Sequence, residues 1–177
     1  MKLKEISFEK FQLKSIQLWL EQWMLLTAGD FSSDQFNTMT VAWGSIGAIW
    51  NKPFVQVVVR PTRYTYEFME KYDTFSLCAF PEFYKNDLQI LGTTSGRQGN
   101  KISRTNLNLK ASKKIAAPSF KEAELIFECR KIYFDDIDPN HFLNASIDLN
   151  YPAKDYHRIY YGEILIILGG GKYEFPG

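Results

Sequence analysis

Short apolar runs rich in β-branched residues, cut apart by turn residues and not alternating regularly with helices, constrain this chain more than any other feature. Residues 54–59, FVQVVV, form a near-continuous apolar run of strand length, and residues 36–45 carry Thr, Val and Trp at strand-favouring density. Residues 23–28 and 74–80 read as buried strands, and residues 122–134, EAELIFECRKIYF, alternate as a half-buried strand does. Residues 159–168, IYYGEILIIL, give the last strand, ended by Gly169, Gly170 and Gly171.

The punctuation agrees with this pattern. Gly29-Asp30 and Ser32-Ser33-Asp34 mark a turn, while Gly44 and Gly47 allow a tight connection between the second and third runs. Pro61 stops the strand before it, because it has no N–H to donate and holds Arg60 extended. Helical spacing is confined to short stretches: the first part of residues 7–28, residues 63–72 with Tyr64, Phe68 and Met69 on one face, and residues 84–91 closed by Gly92. Without a βαβ rhythm, the expected fold is mainly β, an antiparallel barrel with short helical insertions.

A chain of 177 residues buries enough core for one domain, expected over residues 1–177. Twenty-one basic against twenty acidic residues leave no global field to recruit nucleic acid or an anionic membrane, so neither is an expected partner. No run of eighteen apolar residues spans a bilayer, and the charged start Met1-Lys2-Leu3-Lys4-Glu5 is not followed by a signal core. A cytoplasmic protein is expected, with Cys78 and Cys129 as buried reduced thiols.

The catalytic inventory is nearly empty. His141 and His157 are the only histidines, no Cys/His cluster exists, and no metal site is expected. Rossmann and P-loop glycine patterns and the G-x-S-x-G elbow are absent. What remains is a distributed set of anion-binding groups. Arg60 and Arg63 flank the proline turn, and Tyr64 and Thr65 open a helix whose first amides attract anions. Ser95-Gly96-Arg97 and Asn100-Lys101 add a hydroxyl, a close-approach glycine and two cations. Extended backbone at residues 37–43 presents polar groups to a heteroaromatic edge, and Trp43 or Trp50 offers a ring face. A flat ring carrying a phosphate fits these groups: flavin mononucleotide (FMN), pyridoxal phosphate or a nucleotide.

Four stretches, in order, narrow the choice: NTMTVAWGSIGAIWNKP, VRPTRYTYEFMEK, SGRQGNK and HRIYYGEI. Together they resemble the flavin reductase-like FMN-binding split barrels, particularly their flavoredoxin-type branch, with V-R-P followed by R-Y-T as the most specific piece. The resemblance implies a split β-barrel, noncovalent FMN and a homodimer with pockets near the subunit interface. It implies that Asn37, Thr38, Met39 and Thr40 run along the isoalloxazine with Trp43 beside it. It puts Arg60, Arg63, Tyr64 and Thr65 on the ribityl and phosphate side, and Ser95, Gly96 and Lys101 at the remaining phosphate or ring contacts. His157 matches a histidine near the open flavin face, on the substrate side, whereas His141 matches nothing and is left structural. The implied activity is hydride transfer from NAD(P)H to bound flavin; a flavoredoxin-like carrier taking electrons from a protein partner is the alternative.

Overall fold

The computed structural model describes residues 3–175. Met1, Lys2, Pro176 and Gly177, which carry the start of the charged N-terminus and the outer limits of the expected domain, lie outside the described residues. In chain order the elements are β1 (Lys4–Glu5), α1 (Ser15–Gln17), β2 (Met24–Asp30), β3 (Gln35–Val41), β4 (Gly44–Ile49) and β5 (Lys52–Val59). Then come α2 (Tyr64–Lys71), β6 (Thr74–Ala79), α3 (Lys85–Thr93), β7 (Leu109–Lys110), β8 (Ser119–Phe120), β9 (Leu125–Asp136) and β10 (Arg158–Gly169).

The main sheet runs β3-β2-β6-β9-β10-β5-β4, with β1 also on β10, and its neighbouring strands pair antiparallel. Its two outer strands, β3 and β4, are consecutive in the chain and joined by Ala42 and Trp43 alone. So short a link forces the sheet to curl until its ends meet, which makes the architecture a mainly β barrel, split where β3 leaves the hydrogen-bonded ladder. The β5 and β1 pairings share one side of β10: β5 takes residues 158–163 and β1 takes Leu168 and Gly169.

Alternation sorts the side chains into two cores. Met24, Leu26, Phe75, Leu77, Val55, Val57, Val59, Phe127 and Tyr160 pack in one cluster, while Leu25, Cys78, Phe80, Ile126, Ile166 and Leu168 pack in the other with Leu88, Leu91 and Phe120. The long strand β10 serves both because its register against β9 shifts between Ile164 and Ile166. Leu165 is the extra residue there, so Tyr160 and Ile164 join the first core before the shift and Ile167 after it. At Gly162 a Cβ would lie 2.4 Å from the Phe75 ring and 3.0 Å from Cys129 Cβ, so only glycine admits Phe75 to the core.

Three expectations are corrected. Residues 36–45 are not one strand: the chain breaks at Ala42–Trp43 and begins β4. Gly44 and Gly47 lie inside β4 rather than in its turn, which falls at Trp50 and Asn51, with φ of 51° and 57°. Consecutive left-handed residues make the tight hairpin whose twist matches the flanking strands, and Asn tolerates that conformation. Gly44 serves packing instead: a Cβ there would sit 2.3 Å from the Gln56 carbonyl and 2.5 Å from the buried Trp19 ring. The helix from residue 84 also runs one residue past Gly92, to Thr93.

The basic stretch after α3 is tied down. Buried Glu128 accepts the backbone N–H groups of Lys113 and Lys114 at 2.8 and 2.6 Å, fastening the segment to β9. Cys78 and Cys129 are free and fully buried; burial pushes the Cys78 thiol up to about 12 and Cys129 well above its ordinary value. Among the described residues no helix is long and apolar enough to cross a membrane, and no cluster of metal-ligating side chains occurs.

Candidate functional site

Strand register gathers the first half of the site. Gly44 opposes Val57, and Arg158 opposes Val59. Trp43, Arg60 and His157, each one residue beyond a strand end, therefore meet at one end of the β4-β5-β10 ladder. With Met39, Thr40, Val41, Ala42, Val58 and Arg63 they line a cavity of about 250 Å³. The Trp43 and His157 rings lie 5.4 Å apart, tilted by 55°, and Trp43 is half-exposed at the mouth. Burial first, then Arg60, pushes the His157 imidazole down to about 4, so it is neutral at pH 7.

The second half is polar. Asn37, Met39, Thr62, Arg63, Tyr64, Thr65, Thr93, Thr94, Ser95, Gly96 and Lys101 surround a cavity of about 110 Å³. Met39 and Arg63 line both cavities, so the two adjoin at these side chains as the halves of a two-part cleft.

The C-terminal end of α3 positions its charges. The last carbonyls of a helix lack intrahelical donors and carry partial negative charge. Arg63 Nη2 donates to the Gly92 carbonyl at 2.5 Å; Lys101 Nζ donates to the carbonyls of Leu91 at 2.7 Å and Thr94 at 3.0 Å. An ammonium has three donors, so one remains for a ligand. Burial, then Arg63, lowers Lys101 to about 8, and burial, then Arg60, lowers Arg63. Neither cation forms an ion pair with a carboxylate among the described residues. Two desolvated cations beside the first amides of α2 make a site that suits a phosphate.

Gly96 keeps that cavity narrow. A Cβ at this position would lie 2.2 Å from Asn37 Oδ1 and 2.9 Å from the Tyr64 ring, so the 95–97 turn closes over the pocket only with glycine. Asn37 is itself fixed by donating to the Thr65 hydroxyl at 2.7 Å, and Ser95 Oγ accepts the Arg97 N–H at 3.2 Å.

Most of the residues expected from sequence thus share the cleft, but two sit elsewhere than expected. The Thr38 side chain is fully buried against β2, accepting from Thr27 Oγ1 at 2.9 Å and donating to the Leu26 carbonyl at 3.1 Å. Strand alternation turns it away from the cavities that Asn37 and Met39 line. Arg60 lies in the ring-sized cavity, not the phosphate-sized one, and is already occupied: Asp155 holds it at 2.7 Å and the Asn150 carbonyl at 2.7 Å. Thr40 lines the ring-sized cavity and donates to the Leu88 carbonyl of α3. Trp50, the other tryptophan considered, lies outside both cavities and packs on Tyr133 and Tyr161 at 5.8 and 6.5 Å.

Sequence reasoning missed Thr62, Thr93 and Thr94, which are ordinary turn residues in the chain, and Tyr151 and Asp155 behind His157 and Arg60. The only signal was the aromatic density of YPAKDYH. A larger cavity of about 780 Å³ between residues 12–22 and the C-terminal turn contains none of the expected residues.

Comparison with known proteins bears on the fold and the family. A protein of Archaeoglobus fulgidus is 29% identical over 96 residues, covering 54% of each chain, so this chain spans about half the length of that curated relative. An FMN-binding domain of a flavin reductases-like enzyme from Shewanella baltica superposes with a TM-score of 0.67 at 18% identity, over 95% of this chain and 77% of that one. Flavoredoxin from Methanosarcina acetivorans gives 0.65 at 21% identity, over 98% and 77%. The family model for the flavin reductase like domain matches residues 21–167, and the chain belongs to that family.

Proposed function

We propose that the cleft binds FMN and that the protein is an oxidoreductase using NAD(P)H as the hydride donor. The observation that carries this reading is the pair Arg63 and Lys101, two cations with no carboxylate partner among the described residues, in a cavity that adjoins the one walled by Trp43 and His157. When bound, the flavin supplies the redox centre, accepting a hydride and passing electrons on. The chain's residues bind and orient it. Arg63, Lys101 and the first amides of α2 would hold the phosphate, with the Gly96 turn beside it. Met39, Thr40 and Trp43 would contact the ring, and His157 would offer a hydrogen bond without adding charge.

Trp43 lines the ring-sized cavity and is half-exposed, so a second flat ring can reach it from solvent, which favours a nicotinamide donor over a carrier fed only by protein partners. We further read the protein as a homodimer. Trp50 of the β4–β5 turn and Tyr133 of β9 are 57% and 44% exposed and pack on each other at 5.8 Å with Tyr161 beside them, an aromatic face suited to a second copy.

The test is FMN titration followed by rapid anaerobic mixing with NADH or NADPH. Saturable quenching of flavin fluorescence and fast bleaching of the visible band are expected. Absence of quenching removes the flavin reading. Bound flavin that neither nicotinamide bleaches removes the reductase and leaves the electron carrier.

A further inference from the structure

The hydroxyl of Tyr151 lies 2.9 Å from His157 Nδ1, both residues being buried. The tyrosine is held on several sides: its ring stacks on Phe142 at 6.2 Å, meets Tyr156 at 4.9 Å, and lies under the Arg60 guanidinium at 4.9 Å. Arg60 is fixed in turn by Asp155. The hydrogen bond therefore has a defined geometry.

Its direction follows from satisfying both groups. Among the described residues His157 is the sole hydrogen-bond partner of the Tyr151 hydroxyl. Burial raises the pKa of that hydroxyl, so it keeps its proton. If Nδ1 carried a hydrogen and donated, the phenolic proton would be stranded without an acceptor in a buried place, at a cost of about 1–3 kcal/mol. If the phenol donates, both are satisfied and the imidazole proton sits on Nε2. No hydrogen bond among the described residues uses Nε2, and His157 lines the ring-sized cavity.

We propose that Tyr151 is a positioning residue that holds His157 in its Nε2–H tautomer, so that the imidazole presents a hydrogen-bond donor to a carbonyl-type acceptor in the ring-sized cavity. The assignment of that cavity to a flavin or its nicotinamide donor rests on the function proposed above; the tautomer does not. The groups facing His157 are Trp43 ahead of β4, Arg60 after β5, Arg63 ahead of α2, and Tyr151 and Asp155 ahead of β10. The cations Arg60 and Arg63 oppose a second proton on the ring, and Asp155, which favours one, is bound to Arg60. The cleft therefore selects a ligand that presents an oxygen acceptor, such as a ring carbonyl or a carboxamide, over one that presents a donor.

The test is a long-range proton–nitrogen correlation spectrum of the intact protein labelled with ¹⁵N-histidine, with His141→Gln to assign the exposed histidine. The expected spectrum shows His157 with a pyridine-type Nδ1 and a pyrrole-type Nε2, unchanged from pH 8 to pH 5. In Tyr151→Phe, which keeps the ring packing, the two nitrogens should move toward an exchanging mixture, and the imidazole pKa should rise by about one unit. A wild-type Nδ1–H tautomer, a charged imidazole at pH 6, or a Tyr151→Phe spectrum identical to wild type would overturn the proposal. The wild-type spectrum decides the tautomer even if the variant does not fold. Adding FMN separates the two readings: the tautomer without any FMN-induced shift at His157 supports the role of Tyr151 and counts against flavin in this cavity.

Discussion

Arg63 and Lys101 hang from neighbouring carbonyls of one helix end, Arg63 on Gly92 and Lys101 on Leu91, and so face the same small cavity with their charges uncompensated. The arrangement inverts the usual logic of buried charge. Cations are normally buried with carboxylates, whereas these are oriented by a helix terminus that attracts them without neutralising them. The protein is thereby prepared for an anion.

Lys101→Met should weaken FMN binding about 10- to 100-fold, the worth of one charged hydrogen bond of about 1.5–3 kcal/mol. The same variant should melt at or above the wild-type temperature at pH 7, because it removes a desolvated charge that has no ionic partner among the described residues. Fluorescence titration and thermal denaturation on the same preparation check both. Weaker binding together with a lower melting temperature would mean that Lys101 is structural.

The same lysine sets a pH dependence. Its pKa falls from 10.5 in the open chain to about 8 in the fold, so between these values the unfolded state binds the proton that the folded state has released. Stability contributed by this group therefore rises as pH climbs through that window, and the advantage of Lys101→Met should shrink by pH 10. Binding runs the opposite way: above pH 8 a phosphate must restore the proton. FMN affinity should fall as pH rises past 8, and calorimetry in buffers of different ionisation enthalpy should register proton uptake.

Gly96→Ala places a methyl group 2.2 Å from Asn37 Oδ1, so either the turn opens or Asn37 leaves Thr65. FMN binding should weaken at least about 10-fold, with a stability loss of about 1–3 kcal/mol from overpacking. Titration and urea denaturation measure the two. Unchanged affinity would show that the 95–97 turn does not close on the ligand.

Gly162→Ala tests the barrel itself. The added methyl meets the Phe75 ring at 2.4 Å, and a loss of about 1–3 kcal/mol is expected. Phe75→Leu should recover part of that loss in the double variant, as contacting residues couple non-additively. Denaturation curves of the two single variants and the double variant supply the cycle.

Much of the fold could be read from the chain because strand alternation is a local signal. FVQVVV and EAELIFECRKIYF announce β5 and β9 without tertiary help. The failures were also physical. Nothing local separates Gly44, kept small by Trp19 25 residues earlier in the chain, from a glycine that makes a turn, so the sequence alone puts the hairpin too early. Trp50 is a poor advertisement for a left-handed residue, although Asn51 beside it is a good one. In the site, the proline turn and Lys101 stood out by residue type, while Tyr151 acts only through its contact with His157. Thr38 shares a strand with Asn37 and Met39 but its side chain points the other way, which residue order alone does not reveal.

The link Ala42–Trp43 has a further consequence. It joins the two outermost strands of the sheet covalently where no ladder joins them, and the same two residues wall the ring-sized cavity. A molecule seated there would act as a splint across the open side of the barrel, so occupancy should be felt as stiffness in β3 and β4 as well as in the groups that touch it. Length is then the quantity held under constraint at this point. One residue more or fewer would shift Trp43 relative to His157 and Arg60 and spoil the closure of the sheet at a stroke, which leaves residues 42 and 43 free to vary in kind far more readily than in number.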